Sequence, residues 1–419
     1  MNDIFIDQKI EKERLLAGKY IDREGLESAA KNIDNDMIKV VVGPRRAGKS
    51  VFATQLLRKK SFAYLNFDDE RLLGISDYDM ILKGIREVYG DMRYLLFDEI
   101  QNLDKWELFV NRLQRNGYNI TLTGSNSWLL SRELTTHLTD RFLEYPVYPF
   151  SFREYLKARG FDYSGGVLSK EKEGDILYEL SHYIDKGGYP EVVVKGMEPK
   201  EYLSTLFDSV LFKDVVKRYN LRYPSKLYDL GLYLVTNCGT LFTYSKLKNT
   251  LGFRSIHTVQ EYVKYLKDSF VFFAVKKFSH KTREVMKSAE KVYAYDTGMS
   301  IALKSGTTKD QGRLVENIVA NELLRRRNEV YYFRGRNAEE VDFIVKSGLE
   351  LTEFIQVCCE PRQKETEKRE IRALNTAQRE LLMKKPVLAT LITWDYSEEK
   401  TVKNRKIKYV SLWKWLLNI

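Results

Sequence analysis

Residues 43–50 read Gly-Pro-Arg-Arg-Ala-Gly-Lys-Ser, two glycines bracketing four residues and followed by a lysine and a hydroxyl. This is the G-x-x-x-x-G-K-[ST] spacing of a loop that wraps a chain of phosphates. Gly43 and Gly48 permit backbone conformations and a close approach that a β-carbon blocks. The nucleotide loop is therefore read as Gly43, Pro44, Arg45, Arg46, Ala47, Gly48, Lys49, Ser50 and Val51. Its amides, with the start of the helix that follows, aim partial positive charge at a β-phosphate. Lys49 is expected to bridge the β- and γ-phosphates, and Ser50 to hold Mg²⁺ through its hydroxyl.

A second cluster lies about fifty residues on, where Tyr-Leu-Leu-Phe runs into Asp98 and Glu99. An apolar strand ending in two acids can deliver one carboxylate, Asp98, to the metal and the other, Glu99, to the attacking water as a general base. The acid after the aspartate favours ATP hydrolysis over GTP hydrolysis, and no Asn-Lys-x-Asp is present to read guanine. A third strand ends in Thr123-Gly124-Ser125-Asn126. A polar side chain there would stand between the acids and the γ-phosphate, and Ser125 is preferred to Asn126 for that place. Two arginines follow, Arg132 and Arg141. One inserted at a neighbouring subunit's γ-phosphate can raise turnover about 10³–10⁵-fold, and Arg141 is the preferred candidate over the plain alternative of a surface arginine.

These residues need a scaffold that brings strand ends together. Residues 37–43 form an apolar run ending at a glycine, a helical stretch follows from 48 to about 60, and FAYLNF, YLLFDE and NITLTGS are further short apolar segments with polar ends. Strands alternating with helices predict a parallel sheet covered on both faces, with chemistry at the carboxyl ends of the strands. A helical connector is expected from about 150 to 200, broken at Gly165-Gly166 and Gly187-Gly188. After 300 a second alternation appears, with a helix over GRLVENIVANELLRRR, then EVYYFRG, EVDFIV and EFIQVCC, a polar helix, and VLATLIT as the last strand.

The 419 residues are too many for one ordinary core. With 43% apolar and 13% aromatic residues, the composition argues against general disorder. No apolar run approaches the roughly 20 residues of a membrane span, and the charged start MNDIFIDQKIEKERLL does not read as a secretory signal. The three cysteines, 238, 358 and 359, make no CxxC pair, and the four histidines, 137, 182, 257 and 280, are scattered. No zinc spacing results, and a reducing cytoplasm is expected. The net charge is +11; residues 201–300 hold 16 Lys/Arg against 9 Asp/Glu and so carry most of it. That excess favours a polyanionic partner such as nucleic acid.

The ordered set GPRRAGKS, YLNFDDER, YLLFDEIQNLDKWE, TLTGSNSWLLSREL and LTDRFLEYPVYPFSFREYL resembles a broad prokaryotic family of AAA-type ATPases with a winged-helix region and a C-terminal domain like the PD-(D/E)XK nuclease fold. YIDKGGYPEVV, KVYAYDTGM, GRLVENIVANELLRR, EVDFIV and FIQVCCE extend the resemblance along nearly the whole chain. It implies ATP binding or hydrolysis by Gly48, Lys49, Ser50, Asp98 and Glu99, and places Arg141 at the family's glycine-arginine element, with Asp140 in place of the glycine.

TYSKLKNTLGFRSIHTVQEYVKYLKDSFVFFAVKKFS reads as helix, turn, helix and a short strand pair, the pattern of a winged helix. Arg254, His257, Gln260 and Lys264 fall on the outer side of its second helix, which in a DNA-binding version enters the major groove. Lys276, Lys277 and Lys281 are then expected at phosphates, although winged helices also serve as protein-packing modules. In the nuclease-like part, Glu316 and Asp342 match the first two metal-binding positions that the resemblance implies. The third strand offers Gln356 and Cys358 where a carboxylate and a lysine belong, so a retained fold without cleavage is expected.

The resulting expectation is an α/β chain in four segments. Residues 1–155 form a P-loop parallel sheet with helices on both faces, 156–202 a helical connector, 203–295 a winged-helix domain, and 296–419 a restriction-endonuclease-like α/β domain lacking activity. The expected function is a Mg²⁺-dependent ATPase coupled to DNA, assembled as a homo-oligomer if Arg141 acts in trans, with no membrane partner. The alternatives are a nucleotide-switched signalling or scaffold protein bound to protein partners, and an ATP-dependent nuclease.

Overall fold

Ile38–Val42 is an unbroken β-branched run apart from Lys39, and every residue of it is buried as strand β1, as a central strand of a parallel sheet must be. Lys39 keeps its place by donating to the Asn119 side chain at 3.0 Å and to the Asn35 carbonyl at 2.5 Å; burial pushes its pKa down to about 8. The computed structural model describes residues 2–72, 74–75, 77–126, 141–163, 169–306, 310–359, 364–381, 387–402 and 405–419. They divide into two compact units, residues 1–149 with 268–270, and residues 150–267 with 271–419.

In the first unit β1 is followed by helix α2 (Lys49–Leu57), β2 (Phe62–Asn66), α3 (Tyr78–Tyr89), β3 (Tyr94–Asp98), α4 (Trp106–Arg115), β4 (Asn119–Gly124) and β5 (Phe142–Pro146), all preceded by α1 (Asn2–Ala17). The five strands lie in the order β2-β3-β4-β1-β5, and every pairing is parallel. The register aligns their carboxyl ends: Val42 sits opposite Gly124 and Pro146, and Asn66 opposite Asp98. Gly43, Asp98, Glu99 and Ser125 therefore emerge along one edge of the sheet. The charged N-terminal segment is a helix that buries Phe5 completely. A β-carbon on Gly84 of α3 would sit 2.3 Å from the Phe5 ring, so glycine makes that packing fit.

In the second unit, helices α5 (Phe152–Ala158), α6 (Lys170–Lys186), α7 (Pro199–Ser209), α8 (Pro224–Thr236), α9 (Tyr244–Thr250) and α10 (Ile256–Asp268) precede and flank a nine-stranded sheet. Its strands are β6 (Leu241–Phe242), β7 (Phe272–Lys277), β8 (Glu290–Ala294), β9 (Glu329–Arg334), β10 (Glu340–Ser347), β11 (Glu350–Val357), β12 (Leu388–Thr393), β13 (Glu398–Val402) and β14 (Arg405–Ser411). Helix α11 (Gln311–Arg325) precedes β9 and α12 (Lys364–Glu380) precedes β12. The order is β13-β14-β12-β11-β10-β9-β7-β8-β6.

The join is the parallel pairing of β7 with β9, Lys276 opposite Tyr331 and Lys277 opposite Tyr332. The boundaries expected after 155, 202 and 295 all fall inside this unit. VLATLIT is not the last strand, since β13 and β14 follow it. One apolar core gathers Phe207, Leu230, Val259 and Leu266 beneath Phe272 and Val292; another packs Leu374 of α12 against Val341, Phe354 and Leu391. No helix among the described residues is long and apolar enough to cross a membrane.

Candidate functional site

The loop between β1 and α2 turns on two backbone positions. Gly43 adopts φ +150° and Gly48 φ +96°; a β-carbon on Gly43 would lie 1.9 Å from the Val147 carbonyl oxygen. Between them Arg46 stands at φ +64°, a conformation uncommon for any residue but glycine. The loop is held from outside by Arg23, whose guanidinium donates to the carbonyls of Ala47 at 2.8 Å and Tyr148 at 2.5 Å. With the Ala47 carbonyl engaged on that side, the loop amides remain oriented for an anion at the start of α2. The arginine was missed because it lies 20 residues before Gly43 and belongs to no motif.

Lys49 is buried, donates to the Pro44 carbonyl at 3.1 Å, and lies 3.6 Å from a Glu99 oxygen. The Ser50 hydroxyl donates to Asp98 Oδ1 at 3.0 Å. Thr123 also donates to Asp98 and accepts from the Glu99 amide at 3.1 Å. The Ser125 hydroxyl donates to Glu99 Oε2 at 3.1 Å, and Gln101 donates to the same oxygen. Glu99 adopts φ +49°, a strained choice for glutamate that turns its carboxylate back toward Lys49 rather than along the strand. Tyr64 places its hydroxyl 2.9 Å from Glu11 and 3.2 Å from Asp98; its single proton serves one carboxylate at a time.

The two acids are tuned apart. Burial pushes the Asp98 carboxyl up to about 6, with the Glu99 charge adding to it. Glu99 is lowered: its burial works the other way, but Lys49, Gln101, Arg45 and Ser125 together outweigh it. A hydroxyl and a carboxylate 3.0 Å apart form the all-oxygen donor pair suited to Mg²⁺, so Ser50 and Asp98 fit that ion. The Glu99 carboxylate, held by Ser125 and Gln101, can accept a proton from a water. The sheet brings together Gly43 to Val51, Asp98, Glu99 and Ser125. Asn126 is buried beside them in sequence; Arg141 is exposed, and Arg132 lies outside the described residues. Thr123 and Gln101 were not singled out in the sequence, although Thr123 sits inside β4, one residue from its end and two before Ser125.

In the second unit, His257, Gln260 and Lys264 are exposed along one side of α10, with Arg254 just before it, while Val259, Val263 and Leu266 are buried on the other. Lys276 and Lys281 are exposed and Lys277 half-buried. Farther on, Glu316, Asp342 and Gln356 line one cavity of about 990 Å³. The Asp342 amide donates to Gln356 Oε1 at 3.2 Å and the Val357 amide to Asp342 Oδ2 at 3.0 Å. Cys358 is buried in the apolar core, away from the cavity lining. Glu353, three residues before Gln356 on β11, accepts from Thr390. Lys291 of β8 lies within 3.0 Å of both Glu316 and Asp342.

Residues 35–156 match the family described as an AAA domain, which accords with the parallel sheet and its loop. Residues 177–310 and 311–411 match two domains of unknown function, DUF8612 and DUF4143. The uncharacterized protein MJ1544 of Methanocaldococcus jannaschii is 33% identical, over 98% of this chain and 97% of its own length. An uncharacterized protein of Haemophilus influenzae is 31% identical over 91% and 94%. Among solved structures, a Walker-type ATPase of Pyrococcus abyssi covers 69% of this chain and 99% of its own at 15% identity and a TM-score of 0.43, too loose a likeness to speak for function.

Proposed function

Because the chain belongs to the same family as the M. jannaschii protein MJ1544 and carries an AAA domain at residues 35–156, we propose that it is a Mg²⁺-dependent ATPase. The observation that carries this reading is the joint placement of Lys49, Ser50, Asp98, Glu99 and Ser125 at one sheet edge beside the glycine-bounded loop. In the proposed reaction the loop amides and Lys49 hold the β- and γ-phosphates, while Ser50 and Asp98 would hold the metal. Mg²⁺ would neutralise charge on the phosphate oxygens. Glu99, held by Ser125 and Gln101, takes the proton of the water that attacks the γ-phosphorus, and ADP leaves. Lys49 must exchange Glu99 for phosphate when ATP enters, which frees the carboxylate for water.

The partner proposed for this cycle is DNA. Supporting it are exposed Arg254 just before the second of two successive helices, the exposed row His257, Gln260 and Lys264 on that helix, and the antiparallel strands β7 and β8 that follow with Lys276 and Lys277. This is the element order of a winged helix, and the positive excess of residues 201–300 lies in it. The test is ATP turnover with duplex, single-stranded and branched DNA. Stimulation that fades as salt rises and is lost in Arg254→Ala/Lys264→Ala supports the reading. Turnover with no response to any DNA leaves the ATPase standing and removes the DNA coupling, in favour of a nucleotide-switched protein scaffold.

A further inference from the structure

The cavity in the second unit holds a cation of its own. Lys291 on β8 is 2% exposed. Its ammonium lies 2.8 Å from Glu316 Oε1, 2.6 Å from Glu340 Oε1 and 3.0 Å from Asp342 Oδ1. An ammonium has three N–H donors, and three carboxylates from α11 and β10 take all of them. The remaining bonds fix the cage. Tyr293 donates to Glu316, the Val357 amide donates to Asp342, and Gln356 links the Asp342 amide to Glu370 of α12 through a 2.6 Å bond. As they stand around Lys291, these three acids do not form a metal site, and among the described residues no other group of three His, Cys, Asp or Glu does either.

The chemistry decides which cation belongs there. Three neighbouring carboxylates sunk in a cavity repel one another and lose hydration, so they require a positive partner. A hard divalent ion would supply it with oxygens at about 2.0–2.6 Å. Here the oxygens stand at 2.6–3.0 Å around nitrogen, and the ammonium fills the space the ion would need. We propose that Lys291 is the built-in cation of this carboxylate cage, standing in for a divalent ion so that the native cavity refuses Mg²⁺ and Mn²⁺ and does no metal-assisted hydrolysis. This inference goes beyond the ATPase reading and does not depend on it. It also gives the nuclease-like end a physical reason for inactivity other than the neutral third strand, because the acids are present but already paid in charge.

The experiment is Mn²⁺ titration of the full-length, nucleotide-free protein, read by electron paramagnetic resonance. Wild type is expected to show no bound ion that Asp342→Asn removes. Lys291→Met, which removes the charge and ends one atom short of the carboxylates, is expected to gain one site per chain, tighter than any wild-type site by about tenfold or more. Adding Asp342→Asn should abolish it. The variant should also melt earlier than wild type without metal and recover with Mn²⁺, whereas Lys291→Met/Asp342→Asn should not recover. A wild-type Mn²⁺ site lost in Asp342→Asn overturns the proposal, and so does a folded Lys291→Met that gains no ion. Should Lys291→Met not fold, the wild-type and Asp342→Asn titrations decide the question by themselves.

Discussion

Asp98 must be ionised to hold a metal, and the protein interior opposes that charge. Burial, reinforced by Glu99, pushes its carboxyl up to about 6 despite the hydrogen bonds from Thr123 and Ser50 and the nearby Lys49. Coordination takes the carboxylate form, so every molecule that carries the Asp98 proton must release it on binding Mg-ATP. With a pKa of about 6, about half the molecules carry it at pH 6 and about a tenth at pH 7. Binding should therefore release about 0.5 proton from this residue at pH 6 and about 0.1 at pH 7. Affinity should rise with pH, approaching about tenfold per unit well below pH 6 and levelling off above 7. Calorimetry in buffers of different ionisation enthalpy measures the release, and Asp98→Asn subtracts the titration of the nucleotide itself. Equal release by wild type and Asp98→Asn at pH 6 would refute the reasoning.

Glu99→Gln should keep ATP bound and lower single-turnover hydrolysis by about 10²–10⁴-fold, while Lys49→Ala should lose nucleotide binding in the same calorimetric assay; normal turnover by Glu99→Gln would remove it as the base. Ser125→Ala leaves Glu99 one orienting bond short, so kcat should fall by about tenfold, the order of one lost hydrogen bond, with KM unchanged; a change confined to KM would make Ser125 a binding residue instead. Gly43→Ala places a methyl 1.9 Å from the Val147 carbonyl at φ +150°, and thermal melting should show a loss of at least about 1–3 kcal/mol. An unshifted melting temperature would mean that the loop relaxes freely.

The nucleotide site was legible because its information is local. Gly43, Gly48, Lys49 and Ser50 lie within eight residues, Asp98 ends β3 with Glu99 next to it, and Ser125 directly follows β4, so the parallel sheet alone makes them meet. What decides their charge states was less legible. The positive φ of Glu99 leaves no mark in YLLFDE, and Arg23 reaches the loop from a segment without a periodic pattern. Lys291 shows the limit most plainly. In KVYAYD it looks like one more surface lysine of a basic region, yet its partners are 25, 49 and 51 residues away on other elements. The β7–β9 pairing was hidden in the same way, since it joins strands separated by more than fifty residues of intervening chain.

That pairing governs what can be cut from this protein. Ending the chain after β8 would strip β9 from β7 and leave the row of amides and carbonyls of β7 without its mate, a surface that invites aggregation. Starting it at β9 would bare the other side of the same seam and remove Lys291 from its acids. Neither half is therefore a sound fragment for expression, and the cleaner place to divide the polypeptide is near residue 150.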